Sequence, residues 1–321
     1  MVEASLFVIG GLLMLAYGAD RFVDSALFLS ARMDISPMII GIVVVGFATS
    51  APELLVSIIA ALESHPTLSI GNAIGSNIAN IGLVLGLTAL VCPLQIKSTV
   101  LKFEYPLMVL GLLLATFLML DQKIGYLDGS LMILGLFILL SVMVLAGNRS
   151  VKLNTSIEEA SLTPGKRSTE GLKKAVFWFF AGLILLLSGS ELLVKGAVFL
   201  ARYIGVTDVF IGLTIVAVGT SLPELAASLA GAFKKETDLA IGNIIGSNLF
   251  NALGVVAMPA LIKPFNIDRI ILLRDVGSMW LMTALLLILI GLQSNRSDLG
   301  RTGGGILLLS FFCYQIILFF E

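Results

Sequence analysis

GIVVVGFATSAPELLVSIIAALESHPTLSIGNAIGSNIANIGLVLG, residues 41–86, returns as GLTIVAVGTSLPELAASLAGAFKKETDLAIGNIIGSNLFNALGVVA, residues 212–257, without a gap and at a constant offset of 171. Thr49, Ser50, Pro52, Glu53, Ser57, Asn72, Ser76, Asn77 and Asn80 meet identical residues at Thr220, Ser221, Pro223, Glu224, Ser228, Asn243, Ser247, Asn248 and Asn251. Chance identity between apolar stretches would favour Leu, Ile and Val. Here the identities fall on polar residues, Gly and Pro, so the chain is an internal duplication. The likeness extends upstream, where Gly18 stands opposite Gly189 and Asp20 opposite Glu191.

Outward from the repeat, the chain reads as an all-α membrane protein. Of its 321 residues 58% are hydrophobic and 13% charged, and the mean hydropathy is +1.04. A soluble domain carries about 25% charged residues, and too few are present here to clothe one. A membrane-crossing helix needs about 20 mainly apolar residues. About ten such segments occur, at 4–30, 36–62, 68–91, 103–120, 126–147, 172–202, 208–233, 238–262, 270–292 and 303–320. Residues 1–147 form an N-terminal five-helix repeat, 148–171 a linker loop and 172–321 a C-terminal five-helix repeat. The first segment holds Asp20, Arg21 and Asp24 and lacks a basic leader, so it reads as a helix that stays rather than a cleaved signal.

An odd number of helices per half makes the second half enter the membrane from the opposite side. Two inverted five-helix repeats are therefore expected, with a site near the midplane where they meet. Loop charges suggest an orientation. With the N-terminus outside, the inner loops hold Arg32, Lys97, Lys102, Arg149, Lys152, Lys166, Arg167, Lys173, Lys174, Lys234, Lys235, Arg296 and Arg301, 13 in all; the outer loops hold Lys123, Arg202, Lys263, Arg269 and Arg274, 5 in all. Both termini are thus expected outside and the central loop in the cytoplasm. A net charge of −1 gives no reason to expect a nucleic-acid partner. The lipid bilayer is the expected surrounding, and no obligate protein partner is implied. Cys92 and Cys313 read as packing residues rather than a disulfide framework, and His65 as a solvated loop residue.

The chemistry concentrates in the duplicated segments. Pro52 and Pro223 each remove a helix hydrogen bond, which frees the carbonyls of Ala48 and Gly219. At membrane depth, such carbonyls need protein, water or an ion as partner. Glu53 and Glu224 lie near the middle of apolar segments, where a carboxylate costs several kcal/mol. Thr49, Glu53 and Ser57 share one helical face, as do Asn72, Ser76 and Asn80, and the second half repeats both stripes. Two carboxylates, hydroxyls and amide oxygens make an all-oxygen set suited to hard cations such as Ca²⁺ or Na⁺. The stripes contain no His or Cys, which disfavours zinc and copper. The pairs Gly71/Gly75 and Gly242/Gly246 would let helix backbones approach closely. Taken singly, a membrane proline is often only a kink, and Ser or Thr often bonds back to its own helix. The duplicated set is what points to a cation site. Asp20 and Glu191 lie nearer helix middles than ends, yet Arg21 or Lys195 offers each an ion-pair partner.

The paired segments GFATSAPEL…GNAIGSNIAN and VGTSLPEL…GNIIGSNLFN resemble the two alpha-repeats of the cation/calcium exchanger superfamily, and its prokaryotic sodium/calcium exchanger branch in particular. The likeness spans nearly the whole chain. It implies ten transmembrane helices, with four central ones around the ions, and Glu53 and Glu224 as ligands shared by Ca²⁺ and Na⁺. It further implies Thr49, Ser50, Thr220 and Ser221 as hydroxyl and carbonyl ligands, Ser76, Ser247 and Asn80 as additional ligands, and the carbonyls of Gly46 and Ala217 at carbonyl-ligand positions. Some prokaryotic relatives carry Asp where this chain has Asn251, so Asn80 and Asn251 leave a symmetric centre with only two acids. The function implied is a secondary active antiporter of a prokaryotic inner membrane, exchanging Ca²⁺ for Na⁺ by alternating access, with the first and sixth helices sliding over the rest. It is not an enzyme and needs no cofactor. Coupling to H⁺ or K⁺ is the nearest alternative. A cation channel is a further one, although channels draw their filters from oligomeric rings. An intramembrane metal-dependent enzyme would need a nucleophile or base beyond the coordinating set, and the sequence offers none.

Overall fold

The structure is a computed structural model that describes residues 2–158, 169–206, 215, 217–292 and 298–320. It is almost wholly helical. In chain order the elements are α1 (Val2–Arg32), α2 (Pro37–Thr49), α3 (Ala51–Leu62), α4 (Pro66–Val91), β1 (Leu94–Gln95), α5 (Ser98–Met119), β2 (Lys123–Ile124), α6 (Tyr126–Glu158), α7 (Thr169–Tyr203), α8 (Ala217–Thr220), α9 (Leu222–Phe233), α10 (Thr237–Ile262), β3 (Phe265–Asn266), α11 (Ile271–Gly291), β4 (Asp298–Leu299) and α12 (Arg301–Phe320). Among the described residues eight helices are long and apolar enough to cross a membrane. The bent pair α2 and α3 makes a ninth span. Of the expected span 208–233, positions 208–214 and 216 lie outside the described residues, and α8 and α9 supply the rest.

Local sequence explains the helix boundaries. Ser36 caps α2 by accepting from the Ile39 amide at 3.3 Å, and Pro37 occupies its first turn, where a missing N–H costs nothing. Pro66 opens α4 in the same way. α6 continues to Glu158, eleven residues past the boundary expected at 147. No Gly or Pro lies between Gly147 and Pro164, so nothing in that polar stretch stops the helix. Residues 159–168 of the expected linker lie outside the described set.

Burial sorts the helices into a centre and a jacket. In α4 and α10 the apolar window is 78% and 89% buried, against 22–39% for the other six long spans. These two helices carry the repeated Asn–Ser–Asn stripes. The outward faces of α1, α5, α6, α7 and α12 expose Leu, Ile and Phe, as helices in hydrocarbon do. Two antiparallel ribbons tie the halves together: β1 pairs with β4 (Leu94 opposite Leu299), and β2 with β3 (Ile124 opposite Phe265).

The ribbons mark the two ends of the bundle, since α5 crosses between β1 and β2. Near β1, Lys97 pairs with Asp238 just past the α9–α10 turn. Near β3, Ser64 and Pro66 of the α3–α4 turn line a small cavity with Lys263 and Phe265. The repeated turns 63–65 and 234–236 thus lie at opposite ends. The two five-helix halves are inverted, as their odd helix count requires.

Candidate cation-binding site

Two broken helices build the centre. α2 stops at Thr49, Ser50 leaves helical geometry at φ −82° and ψ 2°, and α3 restarts with Pro52 in its first turn, bent by 41°. Ser221 does the same between α8 and α9, at φ −90° and ψ 4°. Each break presents the carbonyl end of one half-helix and the amide end of the next. Carbonyl ends attract cations and amide ends favour anions. Glu53 and Glu224 stand in the first turns of α3 and α9, at the anion-favouring ends.

Close helix contact brings the repeats together. A Cβ on Gly246 would lie 2.1 Å from the Ile42 carbonyl oxygen, one on Gly242 2.4 Å from that of Met38, and one on Gly41 2.6 Å from that of Leu239. α2 and α10 therefore meet backbone to backbone. Thr49 consequently sits beside the second repeat: its Oγ1 lies 3.0 Å from the Val45 carbonyl, 3.2 Å from Asn243 Oδ1 and 3.4 Å from Ser247 Oγ. Ser50 Oγ donates to Glu224 Oε1 at 3.3 Å, and Ser247 Oγ donates to the Gly46 carbonyl at 3.4 Å.

The inner shell is buried and rich in oxygens left unpaired among the described residues. Glu53, Glu224, Asn80, Asn251, Thr49, Ser50, Ser221 and Ser247 are all 0% exposed, and Ser76 is buried. Among the described residues, both carboxylate oxygens of Glu53, Oε2 of Glu224, Ser221 Oγ, Ser57 Oγ and all the amide atoms of Asn80 and Asn251 have no hydrogen-bond partner. Native structures pair nearly all buried polar groups. A concentration of orphans around two acids is what a hard-cation pathway requires. Asn80 opens one π-helical turn, Asn80–Leu85, and Asn251 is the second residue of another, Phe250–Val255, an irregularity common at functional sites. Among the described residues no group of three or more His, Cys, Asp or Glu is placed to hold a metal ion.

Several expected details differ. The Gly219 carbonyl freed by Pro223 is taken by Ser190 Oγ of α7 at 2.9 Å. The equivalent of Ser190 is Ala19, which has no donor to offer the Ala48 carbonyl. The two glycine pairs are not equivalent: Gly242 and Gly246 make the α2 contact, whereas Gly71 and Gly75 meet nothing within 4 Å among the described residues. Asp20 pairs with Lys234 and Glu191 with Lys195, so both lie outside the inner shell. Thr220 faces a cavity shared with Pro52 and Pro223, and Ala217 opens α8. His65 is exposed as expected. Cys92 is half-buried, but Cys313 is exposed on the apolar face of α12 rather than packed.

Two residues outside the expected ligand set hold the acids in place. Asn72 Nδ2 donates to the Glu53 carbonyl at 3.4 Å and Asn243 Nδ2 to the Glu224 carbonyl at 3.2 Å. Asn243 also donates to Ser228 Oγ at 3.0 Å. The signal was present in the sequence as the first member of each Asn–Ser–Asn stripe.

Comparison with known proteins gives the family. The family model described as sodium/calcium exchanger protein matches twice, over residues 4–146 and 174–320, one match to each half. CaxA of Alkalimonas amylolytica, named as a candidate antiporter, is 43% identical over 99% of both chains. The inner membrane protein YrbG of Escherichia coli is 39% identical over 97% of both. The solved structure of the sodium-calcium exchanger NCX_Mj soaked with 10 mM Na⁺ and zero Ca²⁺ superposes with a TM-score of 0.82 at 31% identity, over 97% of each chain. With a duplicated buried acid pair, inverted halves and a family match to each of them, this multi-pass membrane protein belongs to the sodium/calcium exchanger family of cation antiporters.

Proposed function

We propose that this protein exchanges Ca²⁺ for Na⁺ across the membrane by alternating access, with Glu53 and Glu224 as ligands common to both ions. One observation carries the reading: two acids, one from each half, lie fully buried with both oxygens of Glu53 and one of Glu224 unpaired among the described residues, inside a shell of neutral oxygens. Thr49, Ser50, Thr220, Ser221, Ser76, Ser247, Asn80, Asn251 and the carbonyls of Gly46 and Ala217 complete the proposed ligand set. The inner-membrane name of the Escherichia coli relative supports a prokaryotic plasma membrane, and the Lys/Arg bias supports external termini.

Coupling follows from electrostatics. Two ionised carboxylates close together in a low dielectric repel strongly. One Ca²⁺ neutralises them, and so do two Na⁺. An empty site would carry both charges through the barrier, so the return step requires a cation. A third Na⁺ needs neutral donors, and Asn80, Asn251, Ser57 and Ser221 have polar atoms to spare. The reading is therefore three Na⁺ per Ca²⁺ and one net charge moved per cycle, worth about 2.3 kcal/mol per 100 mV.

The test is ⁴⁵Ca²⁺ uptake into proteoliposomes under imposed Na⁺, K⁺ or pH gradients, with the membrane potential clamped by K⁺ and valinomycin. Only the Na⁺ gradient should drive uptake, and its equilibrium point should shift with voltage. Uptake driven by pH or K⁺ alone would replace Na⁺ as the coupling ion. An equilibrium point that ignores voltage and tracks the square of the Na⁺ gradient would replace three to one with two to one.

A further inference from the structure

The inverted halves show one contact in two alternative forms. At the β1–β4 end, Lys234, just past α9, reaches across to α1: its Nζ lies 2.5 Å from Asp20 Oδ1 and 2.8 Å from Asp24 Oδ1. α1 packs directly on α9. By the offset of 171, the equivalent of α1 is α7 and that of α9 is α3. There the helices stand apart. A cavity of about 610 Å³ lies between Leu187, Glu191 and Lys195 of α7 and Leu55 and Val56 of α3. The equivalent of Lys234 is Glu63, which is exposed and makes no ion pair among the described residues. The equivalent of Asp24 is Lys195, which pairs with Glu191 on its own helix.

α1 and α7 form one body. A Cβ on Gly18 would lie 2.5 Å from the Leu186 amide nitrogen and one on Gly182 2.7 Å from that of Phe22; Gly11 and Gly189 cross in the same way a turn or two along. Antiparallel backbones this close do not separate without losing the whole interface. The pair can move only as a unit, and here it stands closed on α9 at one end and clear of α3 at the other. Exchanging the geometries of the two halves generates the opposite orientation, with α7 closed on α3 and α1 clear of α9.

We propose that two ion-pair latches of opposite polarity hold the two orientations. Lys234 of the core grips Asp20 and Asp24 of the moving pair in the orientation seen here, and Lys195 of the moving pair grips Glu63 of the core in the other. The proposal rests on the alternating-access reading above. Chemistry supports the reversal of sign. Were both core positions acidic and both helix positions acidic, closure would bring like charges together. Lys195, standing where the first half has Asp24, supplies the missing cation. The latches are also unequal. Lys234 is 24% exposed between two half-exposed carboxylates, whereas Lys195 exchanges one exposed partner, Glu191, for another. Burial alone would depress the Lys234 ammonium, but Asp20 and Asp24 outweigh it and raise its affinity for the proton. The orientation seen here is accordingly the favoured resting state.

The test is cross-linking in a background lacking Cys92 and Cys313. With Glu63→Cys and Lys195→Cys, a short bis-maleimide should bridge the pair weakly when Lys234 is intact. Lys234→Glu should raise the yield about fivefold by shifting the population, Lys234→Gln should do so less, and Lys234→Glu combined with Asp20→Lys and Asp24→Lys should restore the low yield. An unchanged yield in both Lys234 variants, or no bridge in any of them while size-exclusion profiles stay native, overturns the latch. The readout needs no ion gradient. A yield that responds to Lys234 in a protein that fails to couple Ca²⁺ to Na⁺ would keep the latch and remove the coupling reading.

Discussion

At the scale of residues, the account turns on two buried acids that no cationic side chain among the described residues neutralises. Glu53→Gln and Glu224→Gln should each leave the fold intact, because a neutral amide costs less to bury than a carboxylate. Each should lower Ca²⁺ affinity by about 10²–10⁴-fold, the equivalent of the roughly 3–5 kcal/mol lost when one partner of a buried charge pair is removed. Calorimetric Ca²⁺ titration in detergent measures this, and wild-type affinity in either variant would remove the acids from the site. These residues were legible in the sequence because the duplication repeats them against an apolar background. Their supports were not. That Asn243 bonds the Glu224 carbonyl while facing Thr49 depends on a helix crossing between residues 194 positions apart. Ser190 on the Gly219 carbonyl depends likewise on how α7 lies over α8.

At the scale of elements, the decisive feature is the crossing of α2 and α10 at Gly41, Gly242 and Gly246. Gly246→Ala places a methyl 2.1 Å from a backbone oxygen that cannot rotate away. It should destabilise the protein by about 1–3 kcal/mol and part Thr49 from Ser247. Gly277→Ala meets nothing within 4 Å inside α11 and should leave stability unchanged or slightly raised. Thermal unfolding in detergent separates the two; equal melting temperatures would contradict the backbone contact. Most described spans were readable from hydropathy to within about five residues, α6 overrunning its expected end by eleven, and the breaks at Ser50 and Ser221 from the prolines that follow them. Which glycine pair makes the crossing was not. Gly71/Gly75 and Gly242/Gly246 share the same glycine spacing, and only the neighbour each helix receives distinguishes them.

At the scale of the molecule, inversion makes one polypeptide present the same machinery to both sides. Turn 63–65 and turn 234–236 lie at opposite ends, so His65→Cys and Lys235→Cys, each alone in a background lacking Cys92 and Cys313, should be labelled by an impermeant maleimide from opposite faces of the membrane, Lys235 from the cytoplasm. Labelling of both from one face would contradict the inversion. Inversion was legible from the odd helix count, and the charge bias of the loops suggests which face is which. The ion-pair asymmetry between the two ends was not legible, because Asp20 and Lys234 are 214 positions apart. The central claim is that the paired acids forbid an empty return, so that transport is obligatory exchange. Efflux of ⁴⁵Ca²⁺ from preloaded proteoliposomes tests it most directly. Into choline medium, efflux should be negligible; external Na⁺ or unlabelled Ca²⁺ should each restore it. Equally fast efflux into choline medium would show that Ca²⁺ crosses without a counter-ion, and the exchange mechanism would be wrong.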